Sequence, residues 1–283
     1  MRMPRTAVIL IAAVCWLAPA AAQQFRQPPP YRILVTNDDG VRAPGISAVA
    51  QALQAIGTPI IVAPAENQTG KGHSIITTEP VFRQDVSLPN GLPAIGLTAT
   101  PASAVNIAIR NIVLPRPDLV VAGVNPGYNV GYSVSMSGTV GAARMAAMLG
   151  VPAIAISQAA EAFQKEMVFG AEEAIWVARR IKAYGLPPNT FLNVNVPPMP
   201  PGGYRGYMIT TQAQARGGDE AFVEEKNPQG RTVYWNVWKE GGAAPEGTDM
   251  WAVANGWVSV TPMRVGETDV TPSTIENLKA IFK

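Results

Sequence analysis

The hydrophobic positions of this chain fall into short blocks of two alternating kinds. Tyr31 to Thr36 is a compact apolar, β-branched run that reads as a buried strand. Ile46 to Ile56 carries Ile46, Val49, Ala50 and Leu53 at helical spacing, which gives one apolar face. Ile60 to Ala63 is a second short buried strand. Pro101 to Ile112 reads as a helix, Leu119 to Ala122 as a strand, Thr139 to Leu149 as a helix of small residues, and Ala153 to Ile156 as a strand. A helix from about Glu161 to Tyr184 keeps Val168, Ala171, Ile175 and Ala178 on one stripe, and Phe191 to Val196 is a further strand. Strands alternating with helices predict an α/β fold with a mainly parallel sheet covered on both faces.

The texture changes after Pro197. "PPMPPGGYRG" breaks the pattern, and the segments beyond it, "RTVYWNVW" and "GWVSVTP", are strand-like, with no helix expected until about Ser273. This predicts a β-hairpin extension over about residues 205–265, on a core of about residues 31–200, with a C-terminal helix near residues 273–282. Exposed hairpin arms often exchange between subunits, so a homo-oligomer is expected. The chain has no internal repeat.

The first stretch reads as a leader. Arg2 and Arg5 precede an unbroken apolar run from Ala7 to Leu17, and the small residues Ala18, Ala20, Ala21 and Ala22 follow. The run is the length of a signal-peptide core and short of the roughly 20 residues that span a bilayer. The expectation is a signal peptide over residues 1–22, cleaved after Ala22, and an exported, periplasmic protein with no membrane attachment after cleavage. An uncleaved anchor is the alternative reading. Gln23 to Pro30, with three consecutive prolines, is then a stiff linker ahead of a domain spanning residues 31–283.

Composition adds two exclusions. The chain has 283 residues, 47% hydrophobic and 15% charged, which argues for a large core and against disorder. Two of its 22 basic residues lie in the leader and none of its 20 acids do, so the remainder is formally neutral. No basic excess points to a nucleic acid polymer. The only cysteine, Cys15, is also in the leader, which leaves no thiol for a disulfide, a metal or a nucleophile.

The candidate chemistry sits where strands end. The first strand runs into Asn37-Asp38-Asp39-Gly40. These residue types favour turns, but two adjacent carboxylates repel, and a cation would neutralise them. The second strand opens into "AENQTGKGHS", with Asn67 and Thr69 in a Gly-rich loop. The third ends near Asn125, and Ser137-Gly138-Thr139 then opens a helix, a start that suits either a phosphate or an ordinary N-cap. In an open α/β sheet all three clusters fall on the carboxyl edge, where ligands bind. Carboxylate, amide and hydroxyl oxygens together suit Mg²⁺ or Mn²⁺, and a cation beside a phosphate site implies phosphoryl chemistry. His73 is the only histidine; a lone histidine is either structural or the proton carrier available near neutral pH.

The stretches "ILVTNDDGVRAPGI", "VAPAENQTGKGHS", "TPASAV", "PDLVVAGVNPGYNVG", "SGTVGAA", "LNVNVP", "NPQGRTVYW" and "EGTDMWAVANGWVSVTP" together resemble the SurE (survival protein E) 5'/3'-nucleotidases over nearly all of residues 31–283. The resemblance implies a Rossmann-like three-layer core with a hairpin extension, assembled as homodimers or homotetramers through that extension. It implies hydrolysis of nucleoside 5'- and 3'-monophosphates to nucleoside and phosphate, with one divalent ion (Mg²⁺ or Mn²⁺) per subunit. By motif, the metal ligands fall on Asp38, Asp39, Thr69 and Asn125; for catalysis the expectation is that one of the pair Asp38 and Asp39 relays the proton while the other stays a ligand, and the sequence does not distinguish them. Phosphate and substrate contacts fall on Asn37, Asn67, Asn129, Ser137, Gly138 and Thr139.

The chain departs from the family's pattern in several places. Thr69 stands for a serine, Ala65 for an acid, Ser103-Ala104 for an Asp-Cys pair, Ala122 for a serine and Met145 for an acid. Three other readings remain at this level. One is a nucleotide- or metal-binding module without turnover. Another is a dinucleotide-dependent oxidoreductase, against which stands "NDDGVRAPG" where Gly-x-Gly-x-x-Gly would follow the first strand. The last is a structural periplasmic domain.

Overall fold

A computed structural model describes residues 29–215, 218–240, 242–266 and 279. The leader, most of the Pro-rich linker and, but for Lys279, the C-terminal helix expected near residues 273–282 lie outside the described residues.

The elements follow in chain order as β1 (Arg32–Thr36), α1 (Pro44–Leu53), β2 (Thr58–Pro64), β3 (Arg83–Ser87), β4 (Pro93–Leu97), α2 (Pro101–Ile107), β5 (Leu119–Pro126), α3 (Gly138–Met148), β6 (Ala153–Gln158), α4 (Ala160–Tyr184), β7 (Thr190–Val196), β8 (Tyr207–Ile209), β9 (Gly218–Lys226), β10 (Thr232–Glu240), α5 (Asp249–Ala254) and β11 (Val258–Arg264). Nine strands form one sheet in the order β3-β4-β2-β1-β5-β6-β7-β11-β8. Among the described residues of this sheet, only β3 against β4 and β11 against β7 are antiparallel.

The alternation along each central strand builds two apolar layers. Ile33 and Val35 of β1, Leu119 and Val121 of β5, and Ile154 and Ile156 of β6 face one layer, shared with α1 and α4. Leu34, Val120, Ala122, Ala153 and Ala155 face the other, shared with α2 and α3. Residues buried on both faces explain why these strands read as continuous apolar runs. The second layer is made largely of small residues on both sides, with Ala142, Ala143, Ala146 and Ala147 of α3 set against the alanines of β5 and β6. Small side chains let α3 lie close to the sheet, and that brings its first turn over the carboxyl ends of the strands.

Four features differ from the sequence reading. The helix expected to run from Pro101 to Ile112 ends at Ile107 and continues as a single π-helical turn, Ala108–Ile112. The strands β3 and β4 carry no hydrophobic period that predicts them, because β3 buries only Val86 and β4 is bounded by Pro93 and contains Gly96. The short helix α5 lies where no helix was expected; Thr248 caps it, accepting a hydrogen bond from the Trp251 N–H at 3.4 Å. The hairpin itself is confined to β9 and β10, paired from Thr232 with Lys226 to Glu240 with Gly218. Its flanks, β8 and β11, return to the main sheet, since Val258 and Val260 pack into the α1/α4 layer.

Candidate functional site at the carboxyl edge

β1 lies between β2 and β5, and the chain reverses its direction of build-up there. This is a topological switch point, and the crevice outside it is the usual ligand position in such sheets. The three polar clusters meet around it. The Gln68 N–H donates to the Asp38 carbonyl at 2.6 Å, which draws the second loop onto the first. Gly40, at φ +104°, has backbone of Glu66 and Asn67 so near that a Cβ would meet it at 3.2 and 3.4 Å. The first turn of α3 closes the group from above: the Thr139 hydroxyl donates to Asp38 Oδ1.

Asp38 is 2% exposed and Asn37 and Thr139 are fully buried. The Asn37 amide donates to the Gly40 carbonyl at 2.9 Å and shapes the turn, while its Oδ1 is buried with no partner. Burial pushes the Asp38 carboxyl above its usual range, although the Thr139 hydroxyl and the backbone at the start of α3 pull the other way. Asp39 is pushed up to about 7, by burial first and the charge of Asp38 second. No cationic side chain offsets either carboxylate among the described residues. The crevice is therefore short of positive charge.

The remaining expected residues divide into two groups. Asn125 lies near the carboxyl end of β5, the strand beside β1: its Nδ2 donates to the Gly127 carbonyl at 2.8 Å, which leaves Oδ1 available as an acceptor. The Ser137 hydroxyl accepts from the Val140 N–H at 3.1 Å, so it caps α3, and its own proton remains available to a phosphate. Gly138 lies directly against Asp38 and Pro101. Asn67 and Thr69 form an exposed rim, where Asn67 Oδ1 accepts the Thr69 N–H at 2.7 Å.

Asn129 is buried against polar residues of β6 and β7. Its Nδ2 donates to Ser157 Oγ at 2.8 Å, and its backbone is held by Asn193 and Asn195. His73 packs against Gly141 of α3. Burial, and then the nearby Arg144, hold its imidazole below its ordinary value, and neither Asp38 nor Asp39 figures among those causes.

Sequence reasoning assigned no role to Asn193, Asn195 or Ser157. The first two are fully buried polar residues of β7, where they alternate with Leu192, Val194 and Val196. That alternation is visible in "LNVNV" and is unusual for a strand buried on both faces.

A separate cavity of about 510 Å³ is lined by Ile109, Arg110, Leu114, Arg116, Met148 and Leu149. It lies at the opposite edge, where β5 and β6 begin, and holds no carboxylate or amide.

The charge shortage has a consequence for stability in EDTA. The unfolded Asp39 carboxyl titrates near 3.8 and the folded one near 7. Between those values the folded chain holds a proton that the unfolded chain has lost. Stability from this group is therefore full below about pH 4 and falls as the pH rises through about 7. Thermal melts in EDTA across that window are expected to show a steeper decline for the wild type than for Asp39→Asn. Parallel curves would contradict the placement of Asp39.

Residues 33–219 match the family model for Survival protein SurE. The chain is 40% identical over 244 residues to the 5'-nucleotidase SurE of Syntrophotalea carbinolica, covering 84% of this chain and 92% of that protein. It is 37% identical over 252 residues to the 5'-nucleotidase SurE of Geotalea daltonii, covering 89% of this chain and 100% of that one. The crystal structure of the SurE protein from Aquifex aeolicus superposes with a TM-score of 0.74 at 34% identity, covering 89% of this chain and 100% of that chain. With the family model matched over residues 33–219 and relatives at about 40% identity along most of its length, the chain belongs to the SurE survival-protein family.

Proposed function

We propose that this protein is a divalent-metal-dependent phosphomonoesterase that hydrolyses nucleoside 5'- and 3'-monophosphates to nucleoside and phosphate. The carrying observation is the adjacent pair of buried Asp38, held against the start of α3, and half-buried Asp39, uncompensated by any described cation. The relatives named 5'-nucleotidase supply the substrate class.

The residues present fit a small hard cation. Among the described residues no group of three or more His, Cys, Asp or Glu side chains is assembled, so an ion here needs neutral oxygens as well. The amide oxygen of Asn125 and the hydroxyl of Thr69 would provide them. Such an ion, Mg²⁺ or Mn²⁺, supplies Lewis-acid charge to the phosphate and the attacking water.

The side chains do the rest. Asp38 is fixed by Thr139 and acts as a ligand that does not move. Ser137, Gly138 and Thr139 place the phosphoryl group at the positive end of α3, through the Ser137 hydroxyl proton and the helix's first N–H groups. Asp39 is half-buried with no charge-neutralising partner among the described residues, and burial and the neighbouring Asp38 raise its proton affinity. It takes the proton of the attacking water and returns it to the departing ribose oxygen. The water oxygen forms the new P–O bond as the ribose–phosphate bond breaks.

Two further readings extend this proposal. The hairpin presents Phe222, Tyr234 and Trp235 at 60% exposure or more, and these are the contacts of a homodimer or homotetramer. Export follows from the leader over residues 1–22, and no described helix is long and apolar enough to cross a membrane.

Residues 23–283 are to be assayed for phosphate release from a panel of nucleoside 5'- and 3'-monophosphates, with nucleoside diphosphates as comparators. Release from the monophosphates is the expected result. Folded protein that binds Mn²⁺ and nucleotide without releasing phosphate would replace the reading with a binding module.

A further inference from the structure

We propose that Asp249 is a positioning residue for hydrolysis: it clamps the loop between Asn125 and Ser137 to the foot of the hairpin. This rests on the reading of Asn125 as a ligand and Ser137 as a phosphate contact.

The loop needs a clamp. Residues 126–136 join the two site residues and contain Gly127 and Gly131, both at positive φ, +103° and +55°. A loop built this way has much conformational freedom to lose. Its middle is held from outside its own sequence. The carboxylate of Asp249, fully buried, accepts the Gly131 N–H at 3.0 Å through Oδ2. Its Oδ1 accepts the N–H groups of Ala213 at 2.9 Å and of Met250 at 2.8 Å. Two bonds beside it complete the seam: Gln212 Nε2 donates to the Gly131 carbonyl at 2.7 Å, and the Tyr132 N–H donates to the Ala215 carbonyl at 2.8 Å. The hairpin strand β9 begins at Gly218, just beyond Ala215.

Only a carboxylate suits this place. Three N–H groups point at two oxygens, and neither oxygen meets a donor it must reject. Asparagine offers one oxygen and one NH₂, so at least one N–H would face another donor and lose its bond. Asp249→Asn would therefore free the loop at its centre without touching Asp38, Asp39 or Asn125. A shift of order 1 Å at a reacting group costs about a hundredfold in rate.

The test compares Asp249→Asn with Val177→Ala, a core change in α4 chosen as a control for loss of stability alone. Three readouts apply: hydrogen exchange of residues 126–136 in metal-free protein, Mn²⁺ affinity, and kcat and KM measured separately. For Asp249→Asn the expected result is faster exchange in that loop, Mn²⁺ affinity weaker by about tenfold, and a fall mainly in kcat. Val177→Ala should show none of these at a comparable melting temperature. Unchanged loop exchange, or effects equal to those of Val177→Ala, would overturn the proposal.

If Asp249→Asn does not fold, Gln212→Met decides. It removes only the bond onto the Gly131 carbonyl and should raise loop exchange and weaken Mn²⁺ binding by a few-fold. No change in either would overturn the proposal equally. Loop exchange needs neither metal nor turnover, so a wild type that lacked activity would overturn the assigned function while the clamp itself was still being read.

Discussion

Asp39→Asn is expected to lower phosphate release by about a thousandfold or more, the scale on which removing a positioned acid–base group acts. The substitution keeps the shape of the side chain and removes its charge. In the proposed mechanism it withdraws a ligand from the ion and a proton acceptor from the attacking water at once. The fold should survive, because Asp39 makes no ion pair among the described residues and its charge is opposed by Asp38. In EDTA at mildly alkaline pH the variant should melt no lower than the wild type. An Asp39→Asn protein retaining a tenth or more of the wild-type rate would remove Asp39 from the proposed mechanism.

Gly138→Ala carries the second large effect, and here geometry decides it. A Cβ at this position would stand 2.7 Å from Asp38 Cβ, 2.9 Å from its Oδ2 and 3.0 Å from Pro101 Cγ. None of these is the free end of a flexible chain: Asp38 is tied to Thr139, and Pro101 sits in the first turn of α2. Alanine must therefore push α3 away from β1. Overpacking of this kind costs about 1–3 kcal/mol, partly offset by the better helix propensity of alanine, at most about 1 kcal/mol. The same displacement moves Ser137 and Thr139 relative to Asp39, and a rate loss of about a hundredfold follows. A Gly138→Ala protein with wild-type kcat and melting temperature would show that the helix start and the carboxylate do not approach as described.

The central elements were legible because their burial is two-sided. Ile33 to Val35 and Leu119 to Ala122 have no polar face, so their strands stood out, and the turn residues after them marked the carboxyl edge. β3 was silent for the opposite reason. "RQDVS" is a solvated edge strand that rests on pairing with β4, and a single buried Val86 leaves no period to read. The helix α5 was hidden by its brevity, six residues between Thr248 and Asn255.

The site divided along similar lines. Asp38 and Asp39 announced themselves as adjacent acids after an apolar run. Asn129 carries the same type of side chain as Asn125, four residues away, and nothing local separates their surroundings. The separation comes from β6 and β7, whose Ser157, Asn193 and Asn195 reach Asn129 across more than sixty residues in the case of β7. Asp249 was equally out of reach, since its partner Gly131 lies 118 positions earlier in the chain.

The most direct measurement is phosphate release from a nucleoside 5'-monophosphate by residues 23–283, followed through three successive conditions: Mn²⁺, excess EDTA, and Mn²⁺ restored. The account predicts release that stops in EDTA and returns with the ion. Release that continues undiminished in EDTA, or folded protein that releases no phosphate in any condition, would contradict it.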